Sequence, residues 1–208
     1  MQLFFDIDGV LLNFEHAFVA WMNAEYGMGL PPDYEAEDWD FTEVLDSDEL
    51  DRRWRRFLAV PEAGRMQPLI TPERFNALAQ GHEVHLVTAF PLPHMEQRVR
   101  NLSNLGFVYQ SLNHCGFLVF DDHTPKTKAQ IISELRRHPE PALFVDDHPD
   151  NCMDVVQNCR DVEVWLMSRR FNRNFEHPDV KRAKDWDCVL RRLGRDDLAH
   201  SAPTVAAD

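Results

Sequence analysis

Basic side chains are scarce in this 208-residue chain: 22 Lys and Arg stand against 35 Asp and Glu, a formal net charge of −13. Extended contact with a nucleic-acid backbone or an anionic membrane draws on clustered cations, so nucleic acid is not an expected partner. One small anion held in a local positive pocket stays compatible with the charge. There are only four cysteines, Cys115, Cys152, Cys159 and Cys188, and none forms a C-x-x-C pair. That speaks against a zinc knuckle or dithiol redox site and for reduced thiols. The ten histidines lack the i, i+4 pairing of a helical metal site. No apolar run approaches the roughly 20 residues of a membrane span, and no charged segment followed by an apolar one opens the chain. The expectation is a soluble, cytoplasmic protein with no membrane partner.

What is present is organised around Phe4-Phe5-Asp6-Ile7-Asp8-Gly9-Val10-Leu11. An apolar run of strand length stops at two carboxylates two residues apart. Extended backbone puts alternate side chains on one face, so Asp6 and Asp8 project together from the carboxyl end of a strand. Two like charges that close call for compensation, and a divalent cation is the usual one. Gly9 lets the chain turn away sharply. The plainer reading is an acidic turn after a buried strand; the rest of the chain decides between them.

A hydrophobic fraction of 44% supports a real core, either one ordinary domain or a core with an insert. Phe14, Phe18, Trp21 and Met22 have helical spacing over 14–26, ending near Gly27. From Gly27 to about Met66, acids interleave with Tyr34, Trp39 and Phe41 after Pro31-Pro32, and a second helix is predicted from an N-cap at Ser47 to Leu58. Residues 14–69 therefore read as a small, mainly helical insert, its aromatics either its own core or a wall of Phe14, Phe18, Trp39 and Phe41 facing the substrate. Thr71-Pro72-Glu73 starts a helix running to Gly81. Strands are predicted at 82–88, 117–120, 143–145 and 162–167, with helices at 93–105, 128–137 and 150–158 between them. The tail from residue 195 is expected to be disordered. Alternating strands and helices predict an α/β fold, a Rossmann-like parallel sheet covered on both faces, with ligands bound outside the strands' carboxyl ends.

Those ends carry Asp6 and Asp8, Thr88, and Asp146-Asp147, with Lys126 and Lys128 opening the helix before the last pair. Mg²⁺ favours hard oxygen ligands, which Asp6, the Asp8 carbonyl and Asp146 or Asp147 offer. The cation and a lysine then neutralise a phosphoryl group. Asp6 is placed to attack phosphorus and Asp8 to shuttle the proton, with Thr88 holding phosphoryl oxygens. Lys128 is preferred to Lys126, because Ile132 and Leu135 put it on the buried helix face. Asp121-Asp122 is a rival acidic pair, whose plainer reading is a solvated strand end.

Asp6-Ile7-Asp8-Gly9-Val10-Leu11, Thr88, the helix-opening lysine and Phe144-Val145-Asp146-Asp147 resemble, in order, the four motifs of the haloacid dehalogenase-like phosphohydrolase superfamily. The resemblance implies a catalytic core over 1–13 and 70–194 and a helical cap of the C1 type over 14–69. It implies Asp6 as nucleophile, Asp8 as general acid/base, Thr88 and Lys128 as phosphate ligands, and Asp6, Asp8, Asp146 and Asp147 around Mg²⁺. Dehalogenases and phosphonatases of the superfamily lack an acid at the Asp8 position, so the resemblance favours phosphoester hydrolysis. Many members carry another Asp where this chain has Asn151. Asp8-Gly9-Val10-Leu11 with Asn13-Phe14-Glu15, and Thr88-Ala89-Phe90-Pro91-Leu92, are similar to the 5'(3')-deoxyribonucleotidase-like group, where cap aromatics would stack on a base. The expected substrate is a small-molecule phosphate ester, first a nucleoside monophosphate, with a sugar or other metabolite phosphate as the alternative. A non-catalytic phosphate-binding protein on this core is a rival from another class, although it would be expected to have lost one of these residues. Processing of nucleic-acid ends would rest on Arg52, Arg53, Arg55 and Arg56, whose plainer reading is a solvated helix face balancing nearby acids. Oligomeric state leaves no mark in the sequence.

Overall fold

The computed structural model describes residues 1–116, 126–137 and 139–199. β1 (Gln2–Phe5) is buried at every position, because it lies mid-sheet with parallel partners on both sides. These are β2 (Glu83–Thr88) and β4 (Ala142–Asp146). Beyond them lie β3 (Ser111–His114) on one flank and β5 (Val162–Met167) with β6 (Val180–Ala183) on the other, in the order β3-β2-β1-β4-β5-β6. All pairings are parallel. Phe5 is in register with Leu86 and Val145, so the next residues along each strand share one edge.

Parallel neighbours need crossovers; between β5 and β6 only the 3-10 turn Arg170–Asn172 intervenes, and the others are helical. Among the described residues these are α3 (Pro72–Ala79), α4 (Met95–Leu105), α5 (Lys128–Leu135) and α6 (Pro149–Asn158), with α7 (Trp186–Arg192) following β6. Their starts follow local chemistry. Thr71 accepts from the Arg74 N–H ahead of Pro72, and Thr127 and Gln130 form a reciprocal capping box on α5. Side-chain alternation splits β1 between two cores: Leu3 and Phe5 join the core under α3 and α7, whereas Phe4 joins Phe144, Ile132 and Val155 under α5 and α6. Each such buried Leu or Phe contributes about 1.5–3 kcal/mol.

Residues 14–69 leave the sheet after β1 and return before α3. They form α1 (Phe14–Tyr26), α2 (Ser47–Leu58) and a 3-10 turn at Pro61–Gly64. Phe14, Phe18, Trp21 and Phe57 pack ring against ring, with centroids 5.3–6.0 Å apart. The two crossings run side by side, Leu69 N–H donating to Leu11 O at 2.7 Å and Asn13 N–H to Gln67 O at 2.9 Å. Asn101 on α4 grips the return, accepting from Met66 N at 2.9 Å and donating to Met66 O at 3.2 Å. No described helix is long and apolar enough to cross a membrane.

Several expectations change. The cap of α2 is Asp46 rather than Ser47, since its carboxylate accepts from Glu49 N at 2.8 Å. A strand at 117–120, and Asp121-Asp122, lie outside the described residues; β3 is the polar edge segment Ser-Leu-Asn-His, which has no apolar run to announce it. The charged edge strand β6 was not anticipated either. Residues 195–199 pack on the core, since Arg74 donates to Leu198 O at 2.8 Å, Arg195 donates to Ala77 O, and Ala199 is buried, while the rest of the expected tail, 200–208, lies outside the described residues. The four arginines of α2 each pair with an acid, Arg52 and Arg53 with Glu49, Arg55 with Asp51 and Arg56 with Glu25, as a solvated helix face does.

Candidate active site

The carboxyl ends of β1, β2 and β4 bring Asp6, Thr88, Asp146 and Asp147 together, and all four are buried. Lys128, the first residue of α5, joins them. Its Nζ lies 2.8 Å from Asp6 Oδ1 and 2.7 Å from Asp146 Oδ2. Lys126 instead pairs with Glu134 on the surface. Asp6 Oδ1 also accepts from Ile7 N at 2.7 Å, so among the described residues the hydrogen bonds to Asp6 fall on Oδ1 and leave Oδ2 to face a ligand. Asp146 is held on both oxygens: beside Lys128, it accepts from His148 N at 2.8 Å and from Asn151 Nδ2 at 3.1 Å. Asn151 thus holds Asp146, and through it the lysine. Thr88 Oγ1 accepts from Phe90 N at 3.1 Å.

Asp147 lies under Gly9, whose backbone approaches so closely that a Cβ there would meet Asp147 Oδ2 at 1.8 Å. Asn172, in the 3-10 turn after β5, donates to Asp147 O at 2.7 Å and Met167 O at 2.8 Å. Arg169 donates to Gly9 O and, at 2.8 Å, to Ser168 O. Sequence reasoning missed both residues, since neither ends a strand or opens a helix.

Asp8 behaves differently from its neighbours. Its Oδ1 meets Arg98 Nη2 of α4 at 2.7 Å, as an ion pair without hydrogen-bond alignment. The side-chain oxygens that lie within 4.8 Å of one another belong to Asp6, Asp146 and Asp147, so Asp8 has only its carbonyl to offer a cation in this group. Arg98 was also missed, although α4 buries Arg98, Asn101 and Leu102 at helical spacing; a charged residue on the apolar stripe is the signal.

Burial pushes Asp6 up to about 7, with Lys128 opposing and Asp146 adding to the rise. Asp147 is raised well above the carboxylate range by burial and by the charges of Asp146 and Asp6. Asp8 is raised by burial against the pull of Arg98. Burial works against the Lys128 ammonium, but Asp146 and Asp6 outweigh it and hold it charged. Once ionised, the three carboxylates against one ammonium leave two negative charges in a buried cluster, which a divalent cation with hard-oxygen preference would neutralise. The donor set therefore fits Mg²⁺.

Above this floor is a cavity of about 330 Å³, within the size of small-molecule sites. Phe14, Phe18, Trp39, Phe41 and Trp54 of the 14–69 segment line it, with Phe171 and His148 from the core side. Glu15 also faces it, its carboxylate accepting from Ala36 N.

This sheet, with its acidic floor and inserted helices, is the haloacid dehalogenase-like fold. No family model matches the chain, and no curated protein sequence does. Among solved structures it is similar to D,D-heptose 1.7-bisphosphate phosphatase from B. bronchiseptica complexed with magnesium and phosphate (15% identity, 94% of this chain, 99% of that chain, TM-score 0.55). It is likewise similar to L-2-haloacid dehalogenase from Xanthobacter autotrophicus with chloropropionic acid covalently bound (14%, 93% and 98%, TM-score 0.59). A third is protein tyrosine kinase A of Mycobacterium tuberculosis (18%, 93% and 98%, TM-score 0.63). One fold carries three differently named activities, so the reaction must be argued from the residues.

Proposed function

We propose that this protein is a Mg²⁺-dependent phosphomonoesterase working through an aspartyl-phosphate on Asp6. The observation that carries the reading is the buried junction of Asp6, Lys128, Asp146 and Asp147 beneath an aromatic-lined cavity, with Asp8 two residues along. The neighbour that binds magnesium and phosphate on the same fold supports it.

Asp6 Oδ2 attacks phosphorus, because Oδ1 is held by Ile7 N and Lys128. Lys128 and Thr88 bind the phosphoryl oxygens, and Asp146, held by Asn151, keeps the ammonium in place. Asp8 gives its proton to the leaving alcohol and then takes one from the water that hydrolyses the intermediate. Asp6, Asp147, Asp146 and the Asp8 carbonyl would hold Mg²⁺, which supplies charge neutralisation for the phosphoryl group. Residues 14–69 act as a cap over the core of 1–13 and 70–194, excluding water and choosing the leaving group. The aromatic lining makes a nucleoside monophosphate the first substrate to try, because stacking a base on such side chains gains about 1–3 kcal/mol.

The test is phosphate release from nucleoside monophosphates and sugar phosphates, with Mg²⁺ and with EDTA, beside Asp6→Asn. Turnover is expected to need Mg²⁺ and to fall by on the order of 10³-fold or more in Asp6→Asn. Release that survives Asp6→Asn, or a folded Mg²⁺-binding protein that cleaves no ester, would overturn the reading.

A further inference from the structure

Among the described residues Arg98 is the one buried arginine, with no exposed surface. A guanidinium taken out of water costs several kcal/mol unless its partners compensate, and an apolar side chain would fill this position on α4 more cheaply. Its partners come from three separate segments. Nη2 meets Asp8 Oδ1 at 2.7 Å after β1. Nη1 donates to Ala63 O at 3.1 Å and meets Met66 Sδ at 3.3 Å on the return of the 14–69 segment. The guanidinium carbon lies 4.0 Å from the Phe90 ring centroid after β2. The group is thus pinned from several sides, and of its partners Asp8 and Phe90 face the cavity, Asp8 being the one that carries an ionisable group. Arg98 itself does not line the cavity. Asp8 Oδ1 is out of contact with solvent, while the Asp8 side chain keeps 21% exposure, so the accessible side of the carboxylate is Oδ2.

We propose that Arg98 is a positioning residue for proton transfer: it fixes Asp8 by Oδ1 and so presents Oδ2 to the leaving oxygen of the substrate. The role rests on the phosphomonoesterase reading above. In the first step the bond from phosphorus to the leaving oxygen breaks as the Asp6–phosphorus bond forms, and the proton on Asp8 Oδ2 passes to the departing alcohol. In the second, Asp8 takes a proton from the water whose oxygen bonds to phosphorus as the Asp6–phosphorus bond breaks. A mis-set Asp8 therefore harms the first step in proportion to how much the leaving group needs that proton. A general packing defect would harm all esters alike.

The experiment compares kcat/KM for a sugar or nucleoside phosphate with kcat/KM for p-nitrophenyl phosphate, whose leaving group departs without a proton. The ratio kcat/KM covers the steps through phosphoryl transfer and excludes the later hydrolysis. Wild type, Arg98→Met, Arg98→Lys and Asp8→Asn are measured with Mg²⁺. Arg98→Met is expected to lose about 10²-fold on the alkyl ester and less than about tenfold on the aryl ester, with Asp8→Asn showing the same bias. Arg98→Lys, which keeps the charge, is expected to recover part of the alkyl-ester loss, and it carries the comparison where Arg98→Met does not fold. Equal losses on both esters in the arginine variants, while Asp8→Asn discriminates, would overturn the positioning role alone. Absence of discrimination in Asp8→Asn, or no release by wild type, would remove the underlying reading and this role with it.

Discussion

At residue 9 a β-carbon would sit 1.8 Å from Asp147 Oδ2 and 2.6 Å from its carboxyl carbon, on a backbone at φ +76°. Both facts point the same way: the turn after β1 needs a left-handed residue, and the carboxylate occupies the space a side chain would take. Gly9→Ala should therefore displace Asp147 and strain the backbone by roughly 1–2 kcal/mol. Phosphate release should drop on the order of 10²-fold, and Mg²⁺ affinity measured by calorimetry should weaken, while circular dichroism stays native. Unchanged Mg²⁺ binding would dissociate Asp147 from the cation. The residues that converge here were legible because each ends a strand or opens a helix, positions that hydrophobic patterning marks. Arg98, Arg169 and Asn172 were not, since their contacts at Asp8, Gly9 and Asp147 come from mid-helix or from turns. Only the packing of α4 and the path after β5 bring them there.

Elements are legible to the degree that they bury an alternating or helical pattern. β1, β5, α1 and α3 are such cases, and α1 spans Phe14–Tyr26 as its spacing predicts. β3 and β6 escape because an edge strand buries little and carries polar residues. The loop 31–45 between α1 and α2 has no period at all, yet it is tied across the cavity mouth. Glu37 pairs with Arg170 and, at 2.9 Å, with Arg173, while Trp39 stands edge-on to His148 at 5.4 Å. These ion pairs are about half exposed, so each contributes little to global stability and is screened by salt. Glu37→Gln should leave the global melting temperature within about 2 °C of wild type. The same change should speed limited proteolysis of the loop, and 0.5 M salt should reproduce that in wild type. Cleavage at wild-type rate in both conditions would show that Trp39 and the aromatic core hold the loop without Glu37.

For the whole molecule, the two negative charges left over in the Asp6, Asp146, Asp147 and Lys128 cluster link stability, pH and cation. Asp6, pushed up to about 7, and Asp147, raised well above its usual range, both hold protons more tightly folded than unfolded. The sign follows: what these protons contribute to stability is fully present below the unfolded carboxylate range near pH 4 and is lost as pH rises through each group's folded value, about 7 for Asp6. Without metal, the protein at pH 8 must keep buried like charges together. A cation that binds only the folded state stabilises it by about 2.7 kcal/mol at 100 times its Kd, or roughly 5–10 °C in melting temperature for a chain of this size. Below pH 6 protons compete for the same oxygens, so the gain should shrink. Melting curves with Mg²⁺ and with EDTA should therefore diverge at pH 8 and nearly coincide at pH 5.5. Asp147→Asn should melt higher than wild type in EDTA at pH 8, since one of the repelling charges is gone, and should lose the gain from Mg²⁺. Equal Mg²⁺ shifts at both pH values would mean that the cation stabilises the protein elsewhere, and that the acidic floor does not hold it.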